Sequence, residues 1–258
     1  YLSRVERLPR LGEKLQAPSI QRLAGGQVAT ALVALSRWGM KTVYSGKFGD
    51  DAEGTFGREQ LAAEGVDQDG VVIAPGEPSQ TAMIFVDAAS GERTIIWQRS
   101  PGMNLQPAEL QPQLTEASHA VLIDGLEIDA AIAVAQTARQ AGCLVMLDAD
   151  VMHDDARMNL LVSLCDMVIG STEFPQRFTH LEDRQDALRA LHQRLPPAGL
   201  AGCTLGPGGA ELFDGHEFYF SAAFQVEARD STGAGDIFHA AFLYAALIFL
   251  LSHQSDPP

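Results

Sequence analysis

The sequence has few basic residues, few cysteines and no hydrophobic run of membrane-spanning length. Its 258 residues include 18 lysines and arginines against 33 aspartates and glutamates, which gives a formal net charge of −15. Binding to nucleic acid and docking on an anionic membrane both need clustered positive charge, so this balance argues against both partners. The three cysteines form no CxxC pair, so neither a disulfide framework nor a zinc site is indicated.

The longest apolar run covers residues 240–251. It is shorter than the ~20 residues that a bilayer-spanning helix needs, so we expect a buried helix of a soluble protein. The charged residues 1–10 do not resemble a signal peptide. With 46% hydrophobic and 20% charged residues the chain is typical of an ordered protein, and we expect a cytoplasmic location.

Strand-like and helix-like segments alternate along the last two thirds of the chain, which predicts a largely parallel sheet covered by helices on both faces. The first third lacks this regular alternation and is expected to form a small separate sheet or lid, with a hairpin that turns at Ser90-Gly91. The predicted helices are 27–38, 55–64, 129–140, 156–164, 183–195 and 235–251, and the predicted strands are 42–45, 81–86, 93–97, 120–123, 143–147, 167–169, 202–205 and 213–220.

The most informative motif is DSTGAGD at residues 230–236, followed directly by the long apolar helix. Its small residues let backbone N–H groups converge on an anion at the helix N-terminus, where the helix dipole favours negative charge. Asp236 would lie in the first turn, where a carboxylate beside an anion is costly unless it takes a proton from a hydroxyl nucleophile. The alternative is that Asp230 and Asp236 only cap the turn and the helix.

Three other glycine-rich stretches are weaker candidates for ligand loops. They are Gly25-Gly26 before a predicted helix, GKFGDDAEG at residues 46–54, and TLGPGGA at residues 204–210 directly after a predicted strand. The last of these suits nucleotide phosphates. The alternative is an ordinary tight turn for Gly25-Gly26 and a hairpin turn into the next β segment for residues 204–210. For residues 46–54 a solvated turn with an aspartate capping the next helix is favoured. No P-loop, GxSxG or HExxH motif occurs, which excludes those NTPase, hydrolase and metalloprotease classes.

Together these motifs resemble the signatures of the PfkB/ribokinase family of carbohydrate kinases over most of the chain. Gly25-Gly26 and residues 46–54 resemble the amino-side signature. Residues 230–236 resemble the carboxyl-side signature DTxGAGD, with Ser231 replacing a threonine. The resemblance implies a ribokinase-like α/β fold with a mostly parallel central sheet and a small β-sheet lid. It also implies a kinase that uses ATP and Mg²⁺ to phosphorylate a hydroxyl of a sugar or sugar-like substrate.

The resemblance further implies roles for individual residues. Asp236 matches the catalytic base, and Glu173 matches an acid associated with Mg²⁺. The residues that match the anion hole are Gly233, Ala234 and Gly235. Those that match the nucleotide side are Thr204, Gly206, Gly209 and Thr232. The candidates for the sugar site are Gly25, Gly26, Thr30, Arg99 and Asp148.

The sequence departs from the family pattern at two of these sites. Thr30 stands where the family commonly has asparagine, and Gly170 replaces the asparagine of an Asn-x-x-Glu motif, so a sugar contact and the Mg²⁺ site at Glu173 are expected to differ.

The resemblance also implies one domain over residues 1–258, lid segments at about 1–20 and 80–98, and family segments absent before Tyr1 and after Leu251. A monovalent cation and a homodimer formed through the lid are further candidates.

Other functions stay open at this point. Within the kinase class the acceptor could be a nucleoside or an anionic sugar, and an anionic acceptor would need a cation such as Arg99, Lys47 or Lys41. A non-catalytic sugar or nucleotide sensor on the same fold is the alternative from another class. The presence of Asp236 argues against the sensor, because a sensor needs no general base.

Overall fold

The structure, a computed structural model, describes residues 1–89, 91, 93–153, 156–228 and 230–253. These residues form two compact units, one made of Tyr1–Asn104 with Val226–Ala234 and the other of Leu105–Gln225 with the chain from Gly235. Ser90 of the predicted hairpin turn lies outside the described residues.

The first unit contains a three-stranded sheet in the order β1-β4-β5. The predicted hairpin is confirmed, because β4 and β5 pair antiparallel with Thr81 opposite Gln98. Strand β1, which the sequence patterns did not predict, pairs parallel with β4. The elements of this unit are β1 (Leu2–Val5), α1 (Gln27–Arg37), β2 (Val43–Gly49), α2 (Ala52–Ala63), β3 (Asp67–Ala74), β4 (Thr81–Asp87) and β5 (Arg93–Gln98).

The first third also contains one β-α-β repeat, which corrects the expectation that it lacks alternation. Strands β2 and β3 pair parallel, with Gly46 opposite Val71, and α2 connects them. The capping alternative for residues 46–54 is confirmed: Asp51 accepts a hydrogen bond from the Gly54 N–H at 2.8 Å and another from the Ser79 hydroxyl at 2.7 Å. The glycine-rich stretch is therefore the end of a strand followed by a capped helix.

The second unit contains a six-stranded sheet in the order β11-β10-β9-β8-β7-β6. Strands β6 to β9 are parallel, as predicted, and β10 and β11 are antiparallel additions at one edge. The elements are α3 (Pro112–Glu116), β6 (Ala120–Ile123), α4 (Ile128–Ala141), β7 (Leu144–Ala149), α5 (Ala156–Leu164), β8 (Met167–Gly170), α6 (Phe174–Thr179), α7 (Arg184–His192), β9 (Leu200–Thr204), β10 (Ala210–Phe213), β11 (Phe218–Ser221) and α8 (Ala234–His253).

The core of the second unit is centred on the parallel strands. Val145 and Leu147 of β7 and Val168 of β8 are fully buried, as are Ala138 of α4 and Leu161 of α5. Strands β7 and β8 are buried along almost their whole length, and such strands consist of continuous apolar runs, which is why the sequence predicted them. The single strand predicted over residues 213–220 is wrong, because the chain reverses there between β10 and β11.

Helix α8 is longer and far more exposed than the buried helix that we expected. Its buried residues are His239, Ala240 and Leu243, which form one stripe, whereas Ile248 and Phe249 are 47% and 62% exposed. Of the described helices it is the one long and apolar enough to cross a membrane by length and composition alone, and 17% of that stretch is buried. The expectation of a buried helix is therefore wrong outside this stripe.

Candidate active site

The carboxyl ends of three parallel strands carry predicted site residues of the second unit. Asp148 is the next-to-last residue of β7, Glu173 precedes α6 after β8, and Thr204 ends β9. The Thr172 hydroxyl donates to the Thr204 carbonyl oxygen at 2.8 Å and so joins two of these loops. Because parallel strands end at one edge of a sheet, the fold gathers these residues where ligands of α/β proteins bind.

The loop after β9 needs glycine at two predicted nucleotide-binding positions. Gly206 and Gly209 have φ angles of +54° and +108°, which L side chains rarely adopt. A Cβ on Gly209 would lie 1.9 Å from the Ser221 carbonyl oxygen, whereas a Cβ on Gly206 would meet no atom within 4 Å. The Leu205 N–H closes the loop by donating to the Gly209 carbonyl oxygen at 2.7 Å. The N–H groups of Gly208 and Gly209 also donate within the loop, so the backbone with open space beside it is that of Gly206.

Helix α8 begins inside the glycine-rich motif, with Asp236 half-buried in its first turn. A Cβ on Gly235 would meet no atom within 4 Å, so the space beside this helix N-terminus is open within the described residues. The first N–H groups of a helix have no partner within the helix and attract anions. The turn therefore combines anion-binding groups with a carboxylate able to accept a proton.

A buried histidine that the sequence analysis did not single out ties this turn to the sheet. The ring Nε2 of His239 lies 3.1 Å from the Ile169 carbonyl oxygen of β8, and Nδ1 lies 3.3 Å from Asp148 Oδ2. The sequence feature that could have identified His239 is its position three residues after Asp236 in a mostly apolar helix. Residues three apart lie on the same side of a helix. The contacts place the start of α8 at the edge where β7 and β8 end.

The electrostatics of this edge are dominated by acids. Burial raises the pKa of Asp148 to about 8, and the negative charges of Asp236, Asp150 and Asp124 act in the same direction. Asp148 is 4% exposed and its carboxylate faces His239. Its role in the sugar site therefore stays a prediction.

The other predicted site residues belong to the first unit. Gly26 has a φ of +111° at the start of α1, and its carbonyl oxygen accepts a hydrogen bond from the Thr30 N–H at 2.8 Å. In the turn before α8, Asp230 accepts from the Thr232 N–H at 2.8 Å, and this bond lowers the pKa of Asp230. The capping alternative thus holds for Asp230, while the roles of Gly25, Gly26, Thr30 and Thr232 stay predictions.

A parallel α/β sheet with a glycine loop, a helix N-terminus and an aspartate at its carboxyl edge is typical of nucleotide-dependent phosphotransferases. Residues 2–248 match the model of the pfkB family of carbohydrate kinases. The chain therefore belongs to the pfkB family of carbohydrate kinases. This confirms the predicted ribokinase-like fold and the predicted enzyme class, an ATP-dependent carbohydrate kinase.

Individual relatives agree with this assignment. The chain is 28% identical over 242 residues to a fructokinase of Solanum tuberosum, a match that covers 88% of this chain and 73% of that protein. It is 26% identical over 241 residues to an ATP-dependent ribose-1-phosphate kinase of Halopiger xanaduensis, covering 93% and 79%. The solved structure of Arabidopsis thaliana ribokinase with ribose and ATP has a TM-score of 0.79 and 27% identity, covering 95% and 81%.

Proposed function

We propose that this protein transfers a phosphoryl group from ATP to a hydroxyl of a neutral sugar, with Asp236 as the general base. The observation that carries the proposal is the position of Asp236 in the first turn of α8, directly after the small residues Gly233, Ala234 and Gly235. Membership of a carbohydrate kinase family supports the reaction class. The names of the relatives, which include fructokinase and ribokinase, support a sugar as the acceptor.

The chemistry follows from these groups. The hydroxyl proton passes to the Asp236 carboxylate as the hydroxyl oxygen attacks the γ-phosphorus of ATP, and the bond from that phosphorus to the bridging oxygen breaks to release ADP. The attacking oxygen thus gains nucleophilicity without a free alkoxide. The N–H groups of Gly233 and Gly235 would hold the charge of the phosphoryl oxygens during transfer. The predicted anion-hole residue Ala234 differs from them, because its N–H already donates to the Ser231 carbonyl oxygen at 3.1 Å. Positioning and charge neutralisation supply most of the rate enhancement of such a reaction.

The described residues fit a nucleotide-bound Mg²⁺ better than a dedicated metal site. No group of three or more His, Cys, Asp or Glu side chains in the described part of the chain could hold a metal ion. Mg²⁺ in kinases is commonly held by substrate phosphates and one or two carboxylates. The exposed Glu173 makes no cap hydrogen bond to α6 and is the candidate carboxylate. When bound, Mg²⁺ would neutralise phosphate charge near this acidic edge.

The contacts of Arg99 favour a neutral acceptor, because its guanidinium already donates hydrogen bonds to acceptors of the protein itself. Its Nη1 donates to Gln80 Oε1 at 2.6 Å, Nη2 to the Met103 carbonyl oxygen at 2.7 Å, and Nε to Asn104 Oδ1 at 3.3 Å. A cation with three acceptors is poorly placed to bind an anionic sugar as well. We assign Arg99 the role of holding its loop together.

The Arg99→Ala variant tests this assignment. We expect the variant to raise the KM for neutral and anionic acceptors by the same factor, and to melt a few degrees lower, because hydrogen bonds of about 1 kcal/mol each are lost. Steady-state kinetics with a sugar and its phosphate, together with a melting curve, provide the measurement. A rise in KM confined to anionic acceptors would instead assign Arg99 to the substrate.

The deciding experiment for the function is ADP release from ATP and Mg²⁺ across neutral sugars, sugar acids, sugar phosphates and nucleosides. We expect stimulation by one or more neutral sugars. Stimulation by nucleosides alone would make the protein a nucleoside kinase. Saturable ATP binding without stimulation by any acceptor would favour the sensor. The monovalent cation, the homodimer through the lid and the cytoplasmic location stay predictions.

A further inference from the structure

Among the described residues, the polar contacts of the His239 ring are all with oxygen atoms. Nδ1 lies 2.8 Å from the Gly235 carbonyl oxygen and 3.3 Å from Asp148 Oδ2, and Nε2 lies 3.1 Å from the Ile169 carbonyl oxygen. A neutral imidazole has a single N–H, so its other nitrogen would point a lone pair at a carbonyl oxygen. Both nitrogens are satisfied when both carry protons, or when a protonated Asp148 donates to Nδ1. Each arrangement contains one proton more than a neutral ring beside a carboxylate.

Burial explains why this proton stays with the pair. The side chains of His239 and Asp148 are 4% and 5% exposed, so a net charge on the pair would be poorly solvated. Burial lowers the pKa of His239 and raises that of Asp148 to about 8. Within the part of the chain that the structure describes, the other charged groups that act on the pair are Asp124 after β6, Asp150 after β7 and Asp236 on α8, and all are acids that favour keeping the proton. The pair is then neutral overall near pH 7.

We propose that His239 and Asp148 share one proton and act together as positioning residues for Asp236. The proposal rests on the proposed function, in which Asp236 is the base. His239 lies one helical turn after Asp236 and bonds to a carbonyl of β8, so it fixes the first turn of α8 against the sheet. Because the pair keeps the shared proton, no further negative charge lies beside Asp236 and the phosphoryl group that is transferred. Loss of that proton would add repulsion to a transition state already rich in negative charge.

The test is the pH dependence of kcat in the wild type and in Asp148→Asn, with ATP, Mg²⁺ and the best sugar of the acceptor panel. In the wild type kcat should fall above pH 8, as the pair loses its proton. In Asp148→Asn this alkaline fall should disappear, because asparagine does not titrate, and kcat at pH 7 should drop about tenfold through misplacement of Asp236. An alkaline fall identical to that of the wild type would overturn the proposal.

A matched control separates this effect from the loss of a structural histidine. His192 of α7 is half-buried and its Nε2 lies 3.0 Å from the Gly199 carbonyl oxygen, so His192→Gln also removes a histidine–carbonyl contact of the second unit. We expect His192→Gln to keep the wild-type pH profile. In His239→Gln the alkaline fall should shift to another pH, because Asp148 then titrates without its partner. If His192→Gln shifts it as well, the effect is structural and the proposal fails.

The proton itself can be observed without activity or substitution. Carbon-13 NMR of the aspartate carboxyl groups in the wild-type protein should show Asp148 losing its proton at about pH 8. A carboxyl group that titrates as an ordinary aspartate, at about pH 3.9, would contradict the shared proton. The two proposals fail separately. Full turnover by Asp236→Asn would reject Asp236 as the general base. If Asp236→Asn is inactive but Asp148→Asn keeps the wild-type pH profile, only the proposed role of the His239–Asp148 pair is rejected.

Discussion

Replacing Asp236 with asparagine should lower kcat by about 10³-fold while leaving the affinity for ATP within about twofold, because general-base catalysis contributes roughly 10²- to 10⁴-fold. Asparagine keeps the size of the side chain in the first turn of α8 but cannot accept the hydroxyl proton. The proposed nucleotide contacts lie in the loop at Gly206 and Gly209, which the substitution of Asp236 does not change. Steady-state ADP release gives kcat, and calorimetric titration with ATP gives the affinity.

A matched control is available in another helix. Asp186 also lies in the first turn of its helix, α7, and its side chain is 63% exposed. Asp186→Asn makes the same change in charge beside a helix N-terminus but away from the predicted site, and it should keep the wild-type rate. A kcat for Asp236→Asn above a tenth of the wild-type value would show that another group accepts the proton.

The parallel strands of the second unit could be predicted from the sequence because buried strands consist of short runs of apolar residues. Strand β6 and helix α5 have the predicted bounds, since each is a short segment rich in apolar residues with polar or turn residues close to its ends. The order of these elements also predicted that the stretch from Thr204 directly follows a strand, at the edge where ligands bind. Glu173 is implied only by the resemblance to the family. The motif at residues 230–236 added Asp236 to the same set.

The features that the patterns missed depend on partners distant in sequence. Strand β3 begins with the polar residues Asp67 and Asp69, and its buried positions are the small residues Gly70 and Ala74, so no apolar alternation marks it. His239 is satisfied by the Ile169 carbonyl oxygen, 70 residues away. A single polar residue in an apolar helix does not show whether it faces water or such a carbonyl. The exposure of α8 likewise depends on which faces other elements cover.

Replacing Gly209 with alanine should lower the free energy of unfolding by about 3 kcal/mol or more, because the backbone there has φ +108° and ψ −134°, a region almost restricted to glycine. The added Cβ would lie 1.9 Å from the Ser221 carbonyl oxygen and 2.9 Å from the Ala222 Cα, so either the loop or β11 must shift. We expect a melting temperature lower by about 6–10 °C and weaker ATP binding. Melting curves and calorimetric titration give the two quantities.

Gly206→Ala is the control that isolates this steric clash, because both glycines lie in the same loop and both have positive φ. The Cβ of an alanine at position 206 would meet no atom within 4 Å, so only the left-handed backbone of φ +54° opposes it, at about 1 kcal/mol. Equal losses for the two variants would mean that glycine is needed in this loop for its backbone conformation alone. A much larger loss for Gly209→Ala would mean that the approach of β11 holds the loop in place, and with it the backbone groups proposed to bind the nucleotide.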